Sequence, residues 1–402
     1  MRGHDLLMIP GPVDFEPQVL QALAAPTTSH VSTAFVEVFG RALGCMRTVW
    51  QCPSGQPLIV AGSGTLAMEL AGANLIEPGD AALVLSTGVF GDRFEDLLRR
   101  HGADVTVLRA PLGAIVDPNR VEDALKRGKF KLLTVTHVDT STAVRMPLRF
   151  VGELGRRHSV LTVVDGVCSV AAEEIRQEVW GLDVVLTASQ KALGVPPGLA
   201  LLVASPEAVA AFSARRTVPR SYYGDWGKWL PIMQAYEARR ASYFGTPAVN
   251  LVCALDVSLG RILAEGMDAR FARHALLAAA FRAGVDALGL RQLPLDEESR
   301  ANSLTACYYP DGVSGASFLA AVGRAGVTIA GGLYGEIRDR YFRVGHMGAI
   351  AAGDILWTLG ALETALRETG YRSDPAAAVA AAQRVLVQPG CATPLAGTVL
   401  RA

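Results

Sequence analysis

The stretch Asp183-Val-Val-Leu-Thr-Ala-Ser-Gln-Lys191-Ala-Leu-Gly-Val-Pro-Pro-Gly198 governs the reading of this chain. Its apolar run, Val184 to Ala188, has the length and β-branched content of a buried strand. That strand delivers Ser189-Gln190-Lys191 directly into a loop rich in Gly and Pro. A lysine there loses hydration of its charged form. Its pKa falls, leaving a neutral amine able to form an imine near neutral pH. A surface lysine opening a turn is the plainer reading of the same residue. What favours the first is a second apolar strand, Leu161–Val164, that ends in Asp165.

Working outward, further buried-strand runs occur at Leu58–Ala61, Ala82–Leu85, Val105–Leu108, Leu132–Thr136 and Leu199–Val203. Helical patterns lie between them, at Thr65–Ile76, Asp92–His101 and Val121–Arg127. Continuous Val/Leu strands alternating with helices predict an α/β fold with a mostly parallel, seven-stranded sheet between helices. After about Gly260 the texture changes. Long Ala/Leu/Arg helices (Gly266–Leu288, Ser314–Gly326, Ala352–Thr369) flank strand candidates at Thr305–Tyr309 and Tyr341–Gly345, the signature of a smaller α+β domain. The expected organisation is an N-terminal arm (1–20), a large domain (21–262), a small C-terminal domain (263–372) and an extension (373–402). That extension reads as an Ala-rich helix followed by a Gly/Pro-containing, partly disordered end.

At 402 residues the chain is long enough for one large and one smaller core. Lys plus Arg equals Asp plus Glu at 38 each, which argues against nucleic acid or an anionic membrane as the main partner. No apolar run reaches membrane-spanning length. The six cysteines form no CxxC pair and the seven histidines no HExxH, so neither a disulfide framework nor a metal site is expected. The first residues lack a signal-peptide pattern and Val-Leu-Arg-Ala402 is not a peroxisomal signal, which makes the cytoplasm the default compartment.

Ligands of open α/β sheets bind where strands end and helices begin. Four polar clusters fall at such places. Ala61-Gly-Ser-Gly-Thr65 passes from strand to helix through glycines, which suits an anion at a helix N-terminus and equally suits a plain tight turn. It lacks the third glycine of a dinucleotide fingerprint and the Gly-Lys of a P-loop, so NAD and ATP lose ground. Val163-Val-Asp165-Gly-Val-Cys-Ser169 offers a carboxylate that must meet a cation or cap a helix. Thr136-His-Val-Asp139-Thr-Ser-Thr142 is a strand end crowded with hydroxyls, and Lys191 is the fourth cluster. An imine-forming lysine, an acid able to hold a protonated ring nitrogen and an anion cradle are the requirements of pyridoxal phosphate.

Those clusters belong to a longer pattern: Ile9-Pro-Gly-Pro12, Gly62-Ser-Gly-Thr65, Ser86-Thr-Gly-Val-Phe-Gly-Asp-Arg93, Thr136 to Thr142, Val164-Asp165, Ser189-Gln-Lys191, Tyr243-Phe-Gly-Thr-Pro247 and Phe342-Arg-Val-Gly345. In this order, over roughly residues 5–370, they resemble the class V (fold type I) pyridoxal-phosphate aminotransferases, specifically the alanine–glyoxylate aminotransferase family and within it the fungal form. The resemblance implies a Schiff base of pyridoxal 5′-phosphate on Lys191, with Lys191 also moving the substrate Cα proton, and Asp165 on the pyridinium nitrogen. It implies Phe90, where many members carry Trp, on the ring face, and Thr140 beside the ring hydroxyl and the substrate. Ser63, Gly64, Thr65 and Gln190 would hold the phosphate, with Tyr243 and Thr246 reaching it from the other subunit of a homodimer. Arg343 would fork onto the substrate carboxylate and Gly11 would let the backbone approach the substrate. The implied reaction is ping-pong transamination from L-alanine to glyoxylate. A serine–glyoxylate enzyme is the near alternative, because donor choice rests on a few contacts worth about 1–3 kcal/mol. A cysteine desulfurase would need a mobile cysteine between Ile329 and Arg343, and there is none. A nicotinamide dehydrogenase would need an acidic residue where Ser86-Thr87-Gly88 stands.

Overall fold

A computed structural model describes residues 5–387. Seven strands form one sheet: β1 (Gln56–Gly62), β2 (Ala81–Ser86), β3 (Asp104–Arg109), β4 (Leu132–Thr136), β5 (Leu161–Asp165), β6 (Val184–Ala188) and β7 (Gly198–Ala204). Their spatial order is β1-β7-β6-β5-β4-β2-β3. All neighbours are parallel except β7, which runs antiparallel to both β1 and β6. All seven strands expected from the sequence are present. β4 and β6 are buried along their whole length, as strands covered on both faces must be. β3 is the exception. It alternates a buried Val105 with exposed Asp104 and Arg109, because it is an edge strand and charge protects its open backbone.

Helices Gly64–Leu75 and Val89–Arg100 follow β1 and β2 directly. In register, Thr136 lies beside Asp165 and Asp165 beside Leu186. The polar ends of β4, β5 and β6 are therefore adjacent, at the carboxyl edge of the sheet.

The C-terminal part builds a second, antiparallel sheet from β8 (Leu304–Tyr308), β9 (Ala330–Gly331) and β10 (Tyr341–Gly345), with β10 in the middle. Phe281, Phe318, Phe342 and Leu362 form its core against helices Met267–Ala287, Gly315–Arg324 and Ala352–Glu368. The Ala-rich segment is a helix, Ala377–Leu386, and Ala378 and Ala382 are fully buried in this same core. The Gly/Pro-containing end lies outside the described residues. Leu6 and Met8 also belong to this core, where Leu6–Leu7 pairs in parallel with Val327–Thr328. From there the chain crosses Gly345, whose amide donates to the Met8 carbonyl. A side chain at Gly345 would sit 2.2 Å from the Ile9 carbonyl oxygen, so only glycine allows that crossing. Among the described residues no helix is long and apolar enough to span a membrane.

Candidate active site

Lys191 stands on a loop closed by its own neighbour. The Ser189 hydroxyl donates to the Pro196 carbonyl (2.8 Å) and accepts from the Leu199 amide (3.2 Å), joining the end of β6 to the start of β7. The Gly194 amide bonds the Lys191 carbonyl, with Gly194 at φ +65°. The lysine amine donates to the Pro10 carbonyl. Gly11 follows at φ +114°, and a Cβ there would lie 2.5 Å from Lys191 Cδ and 2.7 Å from its amine. Gly11 therefore serves the lysine directly, a closer role than substrate approach alone. Burial pushes the Lys191 amine below the usual lysine range, as does the Arg343 charge, against opposing contributions from Cys168 and Asp165.

Asp165 is 2% exposed at the end of β5. Its Oδ1 accepts the Val167 amide at 2.9 Å, while Oδ2 has only a long contact, 3.5 Å, with Thr136 Oγ1. Burial lifts the carboxyl to about 6, with Asp139 adding to the rise and the Val167 amide, Arg93 and Lys191 opposing it. A buried carboxylate with one open oxygen is suited to a cationic N–H donor.

Arg343, on β10, reaches across to the large sheet. Its Nε donates to the Gly331 carbonyl (2.9 Å) and one Nη to the Thr140 carbonyl (3.1 Å). Both acceptors are main-chain oxygens. Among the described residues no carboxylate pairs with this guanidinium, which keeps its charge available to a ligand. Thr140 itself is buried, so the structure brings Lys191, Asp165, Thr140, Arg343 and Gly11 together.

Ser63 caps the helix Gly64–Leu75 with extended backbone and no side-chain hydrogen bond, leaving the helix N–H groups open. Gly64 is buried, and a Cβ there would press on Val167 at 2.8 Å. Ser63 and Thr65 are exposed. The Thr65 hydroxyl accepts from Arg93 (3.0 Å), so an anion at this helix start also meets the Arg93 charge. Arg93 stands 4.6 Å over the Phe90 ring, covering one of its faces. Gln190 leaves its buried Oε1 without a partner, and turning the amide would present a donor there.

Tyr243 and Thr246 do not join this group within one chain. Tyr243 is 62% exposed with its ring against His30 (5.3 Å), and Thr246 is exposed.

Two residues carry structural roles that sequence reasoning did not assign. Asp139 is fully buried and binds the amides of Phe90 (3.0 Å), Gly91 (3.3 Å) and Ser141 (2.9 Å). It thus caps the helix Val89–Arg100 from another strand end, which Gly88 cannot do for itself. Gly88 is small for that reason: a Cβ would lie 2.5 Å from Asp139 Cγ. Arg93 is the second. Its spacing of three from Phe90 on one helix was the available signal.

An anion-ready helix start, a spare carboxylate oxygen in a dry setting, an orphaned amide and a buried amine match the chemistry of pyridoxal 5′-phosphate. Comparison with known proteins agrees. Residues 19–337 match the family model for aminotransferase class-V. Alanine–glyoxylate aminotransferase 1 of Saccharomyces cerevisiae is 39% identical over 367 residues, covering 87% of this chain and 94% of that protein. L-aspartate–glyoxylate aminotransferase of Paracoccus denitrificans is 32% identical, covering 95% and 96%. The crystal structure of an alanine–glyoxylate aminotransferase from Nostoc sp. superposes with a TM-score of 0.85 at 32% identity, covering 91% of this chain and 96% of that one. The chain belongs to the class V aminotransferases, enzymes that work with pyridoxal 5′-phosphate.

Proposed function

We propose that this protein is an alanine–glyoxylate aminotransferase, moving the amino group of L-alanine to glyoxylate and releasing pyruvate and glycine by a ping-pong route. One observation carries the reading: a buried amine with lowered pKa and a buried carboxylate with a spare oxygen lie at or just past the ends of neighbouring strands, near an Arg343 that no carboxylate pairs among the described residues. When bound, pyridoxal 5′-phosphate supplies the carbonyl that takes up the amino group and the ring that spreads charge left at the donor Cα. Asp165 Oδ2 would hold the protonated ring nitrogen. Lys191, its pKa lowered by its dry setting, would anchor the cofactor and take the Cα proton of the donor, then return a proton on the other half-reaction. Arg343 would grip the α-carboxylate of alanine and the carboxylate of glyoxylate in turn, since both present the same planar group.

Ser63, Gly64, Thr65 and Gln190 would hold the phosphate, with Arg93 adding charge. Phe90 would lie along the ring and Thr140 beside its hydroxyl. Support for the acceptor comes from the two relatives above, both named for glyoxylate and differing in the named donor. Tyr243 (62% exposed), Tyr222 (78% exposed) and Val218 (80% exposed) are large apolar or aromatic side chains left open in one chain, and Thr246 is exposed beside Tyr243 in sequence, which supports a homodimer whose second subunit completes the phosphate site.

The test is a single-turnover comparison of donors on the purified holoenzyme, together with borohydride reduction and peptide mapping. Alanine is expected to react at least about tenfold faster than serine or aspartate, a difference of pocket contacts, and reduction to mark Lys191. Faster turnover with serine would make this a serine–glyoxylate enzyme. A label elsewhere than Lys191 would overturn the site itself.

A further inference from the structure

Glu265 is the last residue of helix Val249–Glu265, and the following helix begins at Met267 after Gly266 at φ +85°. Two arginines of that second helix fold back onto its carboxylate. Arg270 Nη1 meets Oε2 at 2.8 Å, and Arg273 meets Oε1 and Oε2 at 2.6 and 3.1 Å. Their remaining donors go to main-chain carbonyls of the active-site loops. Arg270 Nη2 bonds the carbonyl of Ala192, the residue after Lys191, at 2.6 Å, and its Nε bonds the Ala171 carbonyl at 2.7 Å, in the turn that follows Asp165. Arg273 bonds the carbonyls of Gly348 (3.1 Å) and Ile350 (3.0 Å), in the loop leaving the strand of Arg343. His274 completes the set. Its Nδ1 faces the Arg270 carbonyl (2.8 Å), which requires a proton on Nδ1 and leaves Nε2 to accept the Gly348 amide (3.1 Å).

A buried guanidinium spent on carbonyls is costly unless a carboxylate balances it. Arg270 is 6% exposed, and Glu265 supplies that balance. One carboxylate thus holds two forks, and the forks hold three separate loops. Their donors go to Glu265 and to main-chain carbonyls, and none goes to the side chains of Lys191, Asp165 or Arg343.

We propose that Glu265, Arg270 and Arg273 form a positioning unit that sets the Lys191 and Asp165 loops relative to each other and holds the strand of Arg343 in register with them. It rests on the reading of Lys191 and Arg343 given above. Removing Arg270 frees the Ala192 carbonyl, lets the Lys191 loop open to water and returns the amine toward its ordinary pKa. Removing Arg273 instead loosens the Arg343 side.

The first readout uses the apoprotein and no activity: the pH midpoint of Lys191 modification by an amine-reactive reagent, followed by mass spectrometry. Arg270→Gln and Glu265→Gln should both raise that midpoint by about half a pH unit or more as the loop hydrates. A pure charge effect would move the two in opposite directions, because one removes a cation and the other an anion. In the holoenzyme, Arg270→Gln should lower kcat about tenfold with KM little changed, Arg273→Gln should chiefly raise KM for the amino donor, and Arg270→Lys should recover part of the loss. Leu277→Ala, in the second core, serves as a control for lost stability. The proposal is overturned if Arg270→Gln matches Leu277→Ala in lowering Tm yet leaves the Lys191 midpoint within about 0.2 pH unit and kcat within about twofold of wild type. Should Arg270→Gln fail to fold, Glu265→Gln and Arg273→Lys decide by the same midpoint and the same KM-against-kcat split. If borohydride marks a residue other than Lys191, the functional reading falls. The apoprotein midpoint still reports whether this unit orders the loop.

Discussion

At the scale of single residues, two groups of opposite sign have their charged forms disfavoured by the same dry setting. Lys191 is pushed toward the neutral amine and Asp165 toward the neutral acid, both chiefly by burial. For Asp165 the sign of the stability effect is definite. Its folded pKa, about 6, lies above the unfolded carboxylate value, so its contribution is fully present below about pH 4 and is lost as pH rises through about 6. Ionised Asp165 therefore costs the apoprotein on the order of 3 kcal/mol at pH 7.5. Asp165→Asn should make the apoprotein more stable than wild type at pH 7.5 by up to that amount, with the gap closing near pH 4. Urea unfolding of both proteins across this range checks it, and a gap independent of pH would contradict the assignment. The same substitution should weaken binding of pyridoxal 5′-phosphate, because the ring nitrogen loses its anionic partner. Stability is thus expected to rise while cofactor affinity falls, the opposition characteristic of a functional site.

Among elements, the helix Val89–Arg100 shows how a site depends on caps drawn from elsewhere. Its start, Gly88, has no side chain, and Asp139 from beyond β4 supplies the missing acceptor for two helix amides. Asp139→Ala should cost about 2 kcal/mol in apoprotein unfolding, from a lost cap and stranded buried donors. Because Phe90 rides on that first turn and Arg93 on the next, affinity for pyridoxal 5′-phosphate should fall about tenfold as well. Spectroscopic titration with the cofactor measures the second effect, and an unchanged affinity would separate this helix from the site. The elements themselves were legible. Seven apolar runs became the seven strands, and the polar ends of three became the centre of the site, because alternation and apolar content are local properties of the chain. The cap was not legible in this way. Thr136 to Thr142 stood out as polar, but the sequence distance of 49 between Phe90 and Asp139 hides which helix the carboxylate serves.

For the whole molecule, the proposed homodimer would complete the part of the site that one chain leaves open. Tyr243 and Thr246 stay exposed in one chain, while Ser63 and Gly64 lie at a helix start that no side chain caps. If each site draws on both subunits, Lys191→Ala mixed with a Tyr243→Phe, Thr246→Ala double variant should regain activity. Random re-association places an intact set of residues in about a quarter of the sites. Activity after denaturant-assisted mixing measures this, and dimers that form without any regain would contradict shared sites. The sequence alone determined the strands, since apolar content and alternation are short-range properties. It put forward the lysine and acid at or just past the ends of two of them and the cofactor that such groups suit, while the arginine on β10 came from the family resemblance. Only the tertiary structure decided that Pro10 and Gly11 press against Lys191, that Thr140 presents its carbonyl to Arg343, and that Glu265 ties three loops through two arginines. Those contacts join residues far apart in the chain through main-chain oxygens, which every residue carries alike. A pattern of side chains therefore holds no trace of them until the fold brings them together.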